Sequence, residues 1–147
     1  MAAAFDPIAL RRFVTLAERI AEPTTFTLNE WMCRPDVVPC RELLLVRATM
    51  EPGNSHPFHR HPTREEIIYV ISGRAEQWCG EQHRLLGPGE MVLIPRGEVH
   101  GTYNPFSEPL VFLAILSPAE AEGPAVVDVS SDPPWHGMRS RRSASLS

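Results

Sequence analysis

GNSHPFHRHPTREEIIYVISG, Gly53 to Gly73, and GEMVLIPRGEVHGTYN, Gly89 to Asn104, decide how the rest of the chain reads. The first stretch holds His59 and His61 with one residue between them, followed by the acidic pair Glu65 and Glu66. The second brings His100 after a Pro95-Arg96-Gly97 turn signal. Side chains alternate along a strand, so His-x-His puts both imidazoles on one face. A carboxylate a few residues on and a third histidine from another strand complete a nitrogen-rich site for a divalent transition metal.

Working outward, composition narrows the function classes. The chain of 147 residues suits a single domain able to bury a core, and its hydrophobic fraction of 43% is that of a globular protein. A formal charge of −4 argues against nucleic acid as a partner. All 14 basic residues are arginine, which excludes a lysine Schiff base or a lysine general base. Cys33, Cys40 and Cys79 form no CxxC pair, an odd and sparse set that suits a reducing cytoplasm. The start, MAAAFDPIALRR, lacks the pattern of an export signal, and the apolar run Leu110 to Leu116 is too short to span a bilayer. A cytoplasmic protein with no membrane partner is therefore expected.

Between Asp6 and Ile20 the pattern predicts a short helix, with Asp6 as cap, Pro7 in the first turn and Leu10, Phe13, Val14 and Ala17 on one face. A strand over Arg12 to Leu16 competes with it. From Thr24 on the texture is one of short strands: Thr24 to Met32, Arg41 to Met50, His56 to His61, Glu66 to Ile71, Arg74 to Cys79, His83 to Leu86, Met91 to Ile94, Val99 to Tyr103 and Leu110 to Leu116. Ser72-Gly73 reads as the turn of a hairpin between the fourth and fifth of these. Short strands separated by Gly and Pro indicate an antiparallel sandwich or barrel. Ala125 to Val129 is one more extended piece. The end, MRSRRSASLS, has no core-forming pattern and reads as a disordered tail in which Arg139, Arg141 and Arg142 are solvated.

The two opening stretches resemble the paired motifs of the cupin superfamily, in particular its small single-domain, quercetinase-like members. The first motif falls on Gly53, His59, His61, Glu66 and Gly73, and the second on Gly89, Pro95, Gly97, His100 and Asn104. The resemblance implies an all-β fold, a double-stranded β-helix or jelly-roll barrel with its core at about 24–117. A short N-terminal helix or strand and a flexible tail at about 138–147 complete one cupin domain over 1–147. It also implies metal ligation by His59, His61, Glu66 and His100. The motif count to Gly73 selects Glu66, which puts Ile68 and Val70 on the same inward face and turns Glu65 outward. Asn104 is expected to bond to a loop.

Three imidazoles and a carboxylate suit Fe(II), Mn(II), Ni(II), Cu(II), Co(II) or Zn(II) without choosing among them. His56 reads as an exposed loop residue, and His83 and His136 as surface residues. Ile68, Val70, Leu93 and Phe112 read as core, while Trp31, Trp78, Tyr69, Tyr103 and Arg47 are candidates for the open end of the barrel. The leading functional expectation is a metal-dependent dioxygenase acting on a small enolisable or phenolic substrate, with Glu66 doubling as a base. The alternatives are a non-oxidative isomerase or lyase and a non-catalytic binding module. A homodimer is expected from the resemblance, with the N-terminal segment and Ala125 to Val129 as the exchanged pieces.

Overall fold

A computed structural model describes Ala4 and residues 6–144. Strand β1 is Ile20–Pro23, β2 Leu28–Cys33, β3 Leu44–Met50, β4 Ser55–Arg60, β5 Glu65–Ser72 and β6 Ala75–Cys79. Then come β7 Gln82–Leu86, β8 Met91–Ile94, β9 His100–Tyr103, β10 Leu110–Ser117, β11 Val127–Asp128 and one helix, α1, Met138–Ala144. They form two antiparallel sheets, in the orders β1-β2-β3-β10-β5-β8 and β11-β4-β9-β6-β7. This is the two-sheet jelly roll that the resemblance implied, within the antiparallel sandwich or barrel class that the strand rhythm indicated. Among the described residues no helix is long and apolar enough to cross a membrane.

Alternation builds the core. On β3 and β10 every second residue is buried, which turns Val46, Met50, Leu110, Phe112 and Leu116 inward. Ile68 and Val70 of β5 join them, with Glu66 on the same face and Glu65 exposed. Leu93 departs from expectation: it is 53% exposed, because β8 turns Ile94 inward and Leu93 falls on the other face. Asn104 ties the barrel's end together, donating from Nδ2 to Met50 O and Glu108 O and accepting from Phe106 N.

Three expectations are corrected. Residues 6–19 form turns and irregular chain rather than a helix or a strand, with Ile20 already in β1, although Asp6 Oδ1 does accept a bond from Ile8 N. Leu10, Phe13 and Leu16 stay 69% to 85% exposed, so a helix there would have no surface on which to bury its apolar face. An isolated helix of that length is marginal in water. Second, β5 and β6 are not a hairpin. β5 pairs with β10 and β8, while β6 crosses to the other sheet and pairs with β7 and β9. Gly73 makes that corner at φ +77°, where a Cβ would lie 2.3 Å from Pro109 O. Third, the C-terminal residues through Ala144 are not a disordered tail, since α1 docks on the outside of the barrel; residues 145–147 of that expectation lie outside the described residues. Met138 is buried beside Phe58, Trp78 and Tyr103, and Arg139 pairs with Glu76 at 2.6 and 2.9 Å. That pair, together with the Tyr103 ring 3.9 Å from the Arg139 guanidinium, takes Arg139 out of the solvated set.

Candidate metal centre

The ligand-bearing residues come from neighbouring strands. β4 supplies His59 and leads directly into His61, β9 supplies His100 opposite His59, and β5 supplies Glu66 from the facing sheet. All four are buried, and one ligand atom from each lies within 4.8 Å of the others. His61 Nε2 and His100 Nε2 approach Glu66 Oε2 at 3.2 and 2.9 Å.

The outer nitrogens explain how the rings are aimed. His59 Nδ1 meets Pro57 O at 2.6 Å, His61 Nδ1 meets Ala125 O at 2.8 Å and His100 Nδ1 meets Glu98 O at 3.0 Å. A carbonyl only accepts, so each Nδ1 carries the proton and donates it. That fixes the tautomer and leaves the other nitrogen's lone pair for the centre, the arrangement that outer partners impose on metal-bound histidines. His100 Nε2 and Glu66 Oε2 are buried without a hydrogen bond despite their short approach. Two acceptors facing each other in a dry site are unfavourable unless a cation lies between them. The donor set therefore fits a divalent transition ion, whose identity three nitrogens and an oxygen leave open.

Titration follows the same geometry. Burial, with His56 and His100 nearby, pushes His59 far below the ordinary histidine range and keeps it neutral. Burial would lower His61 too, but the close Glu66 carboxylate, with the Ala125 carbonyl, outweighs it and leaves His61 above its ordinary value. Burial would raise Glu66, yet His100 and His61 together hold its carboxyl well below the usual carboxylate range.

A cavity of about 440 Å³ opens on this group. His59, His61 and Glu66 reach its wall, and Phe26, Trp31, Ile68 and Phe112 make much of the rest apolar. His100 lies behind, with no exposed surface. Of the aromatic and arginine candidates for the open end, only Trp31 lines the cavity. Trp78 and Tyr103 pack with Met138, Tyr69 is exposed on the outer face of its sheet, and Arg47 bonds Glu30 at 2.8 Å. His83 and His136 are exposed, as expected.

His56 is the residue that sequence reasoning missed. It lies in β4 and on the cavity wall, not in an exposed loop. Its ring stacks on His59 at 3.6 Å between centroids and on Phe26 at 4.7 Å. Burial, only partly offset by the charge of Glu66, pushes His56 down to about 4.

The cupin domain family model matches residues 46–116, the span that holds all four clustered donors. This chain carries a cupin domain. The cupin is 38% identical over 63 residues to germin-like protein 3-8 of Oryza sativa subsp. japonica, covering 40% of this chain and 28% of that protein. It is 39% identical over 67 residues to the dimethylsulfoniopropionate lyase DddQ of Ruegeria pomeroyi, covering 45% of this chain and 32% of the lyase. The matches thus span only about a third or less of the length of these relatives. Among solved structures, the polyketide cyclase RemF from Streptomyces resistomycificus superposes with a TM-score of 0.68 at 25% identity, over 88% of this cupin and 94% of the cyclase.

Proposed function

We propose that this cupin is a divalent-metal enzyme acting on a small enolisable or phenolic substrate. The observation that carries the proposal is the cavity of about 440 Å³, apolar over much of its wall, into which His59, His61 and Glu66 project. When bound, the metal supplies Lewis-acid polarisation of a substrate oxygen. The chain does the rest. Phe26, Trp31, Ile68 and Phe112 bind a flat ring and exclude water, and the Nδ1–carbonyl bonds keep the imidazoles aimed. Glu66, kept as a carboxylate, is placed to take a proton from the substrate carbon next to the polarised group.

A non-oxidative reaction is favoured, because proteins named as a lyase and a cyclase are among the relatives. Dioxygenation is the second reading, supported by a donor set that equally suits a redox-active ion. Elemental analysis of protein purified without added metal, paired with His59→Ala, is the first measurement. Wild type is expected to hold a transition metal that the variant lacks, and metal-free wild type would overturn the proposal. Turnover of a panel of 1,3-diketones and flavonols should then persist anaerobically with Zn(II) loaded. Oxygen uptake matching substrate loss would establish the dioxygenase instead, and a Glu66→Gln variant with full metal and full turnover would remove the base role.

We also propose a homodimer, through the outer face of the six-stranded sheet. Tyr69, Ile71, Met91 and Leu93 are 39% to 53% exposed there on the adjoining strands β5 and β8, and β8 is an open edge. The piece Ala125 to Val129, expected as an exchanged segment, instead pairs through β11 with β4 of its own chain. Light scattering at micromolar concentration should return the dimer mass, and a monomer mass would end this proposal.

A further inference from the structure

His56 occupies a place that packing alone does not explain. The ladder between β4 and β9 runs in register at His56↔Thr102 and at His59↔His100, with a bulge between them. In a regular strand, residues three apart face opposite sides. The bulge re-aims the strand so that His56 and His59 line one wall. Phe26 covers one face of the His56 ring at 4.7 Å and 19°, and His59 the other at 3.6 Å and 14°. With both faces covered, only the edge that carries the ring nitrogens is free to meet a ligand. Among the described residues, His56 makes no side-chain hydrogen bond.

A prop for His59 would need only a flat ring. Phenylalanine would supply the same stacking without bringing two polar nitrogens into a mostly apolar cavity, where an unmatched polar group is destabilising. We propose that His56 is a substrate-contacting, specificity-determining residue that hydrogen-bonds a second oxygen of the substrate while the first lies at the His59–His61–Glu66–His100 centre. The substrate class is thereby narrowed to compounds with two neighbouring oxygens, a catechol or an enolised 1,3-diketone. Ring stacking against His59 puts the His56 edge one short step from the centre, which matches two oxygens on adjacent or alternate carbons. This assignment rests on the metal-centre reading above.

The test uses two probes on the Zn(II)-loaded protein, 4-nitrocatechol with two neighbouring oxygens and 4-nitrophenol with one, titrated by absorbance. Wild type is expected to bind 4-nitrocatechol more tightly. His56→Phe, which keeps the stack, should retain full zinc by elemental analysis and bind 4-nitrocatechol about tenfold more weakly, the worth of one hydrogen bond. Its affinity for 4-nitrophenol should be unchanged, and His56→Gln should recover part of the loss. Equal affinity of wild type and His56→Phe for 4-nitrocatechol would overturn the assignment. Loss of zinc in His56→Phe would also overturn it, by making His56 a prop for a ligand. Zinc-loaded wild type that binds neither probe would instead bring down the phenolic-substrate reading and this assignment with it.

Discussion

His100→Ala is expected to strip the purified protein of its transition metal and of the thermal stabilisation the ion confers. His100 has no exposed surface, its Nδ1 is committed to Glu98 O, and its Nε2 has no hydrogen-bond partner. No neighbouring side chain can replace that nitrogen from behind the cavity wall. An ion at a hundred times its dissociation constant adds about 2.7 kcal/mol to folding stability. For a domain of this size that is a rise in Tm of roughly 5–10 °C over protein treated with a chelator. The rise should vanish in His100→Ala, while metal-free wild type and metal-free variant both still melt cooperatively. The increment should also depend on pH. His61, raised by Glu66, contributes stability to the metal-free protein that is complete below the ordinary histidine value and is lost as pH climbs through the raised one. Metal must displace that same proton, so the gain in Tm on loading should grow from acidic pH through the histidine range. Glu66 acts in the opposite sense: its lowered pKa adds stability above the ordinary carboxylate value that is lost as pH falls below it. A Tm increment flat with pH, or a full metal content in His100→Ala, would contradict the assigned ligands.

The ligand set was legible because two local rules coincide in it. Alternation puts His59 and His61 together, and the motif spacing to Gly73 that the resemblance supplies points to Glu66 rather than Glu65; the structure turns Glu66 inward with Ile68 and Val70 and groups it with the three histidines. His56 was not legible, since alternation assigns it to the opposite face and only the bulge before His59 reverses that. Nor was the pairing of β5. Ser72-Gly73 signals a turn, but whether the chain returns along the same sheet or crosses to the other depends on what Gly73 packs against, here Pro109. Leu93 shows the same limit from another side: in Met91–Ile94 every residue is apolar, so the pattern does not say which pair faces in. The N-terminal segment has a helix's periodicity with no surface to bury it. At the other terminus, MRSRRS looks like solvated tail because only tertiary contact gives Arg139 the Glu76 carboxylate and the Tyr103 ring.

That contact leads to the second large effect, a loss of several kcal/mol of stability, roughly 3–5, on deleting residues 138–147. Met138 is 4% exposed and packs against Phe58, Trp78 and Tyr103 with Trp135 alongside. Removing a buried methionine side chain costs about 2–5 kcal/mol, and the deletion also uncovers the aromatic faces beneath it. The Arg139–Glu76 pair adds less. With the arginine side chain 38% exposed, it is worth about 1 kcal/mol at most. Urea melts should therefore rank the deletion as most damaging, Met138→Ala next at about 2–4 kcal/mol, and Arg139→Ala least. The consequence reaches the metal centre, because α1 ends the segment that follows β10. That segment is held to the barrel by Arg64 to Pro118 O and Ala119 O, Ala119 N to Arg41 O, His61 Nδ1 to Ala125 O, β11 along β4, and Val129 N to Phe58 O. Releasing its far end weakens the hold on the Ala125 carbonyl that fixes the His61 tautomer, so the deletion should also weaken metal binding, whereas Arg139→Ala should leave it near wild type. A deletion that melts with wild type would mean that α1 contributes nothing to the fold. A deletion that loses stability but binds metal at wild-type affinity would instead show that the segment's own bonds to the barrel hold the Ala125 carbonyl in place.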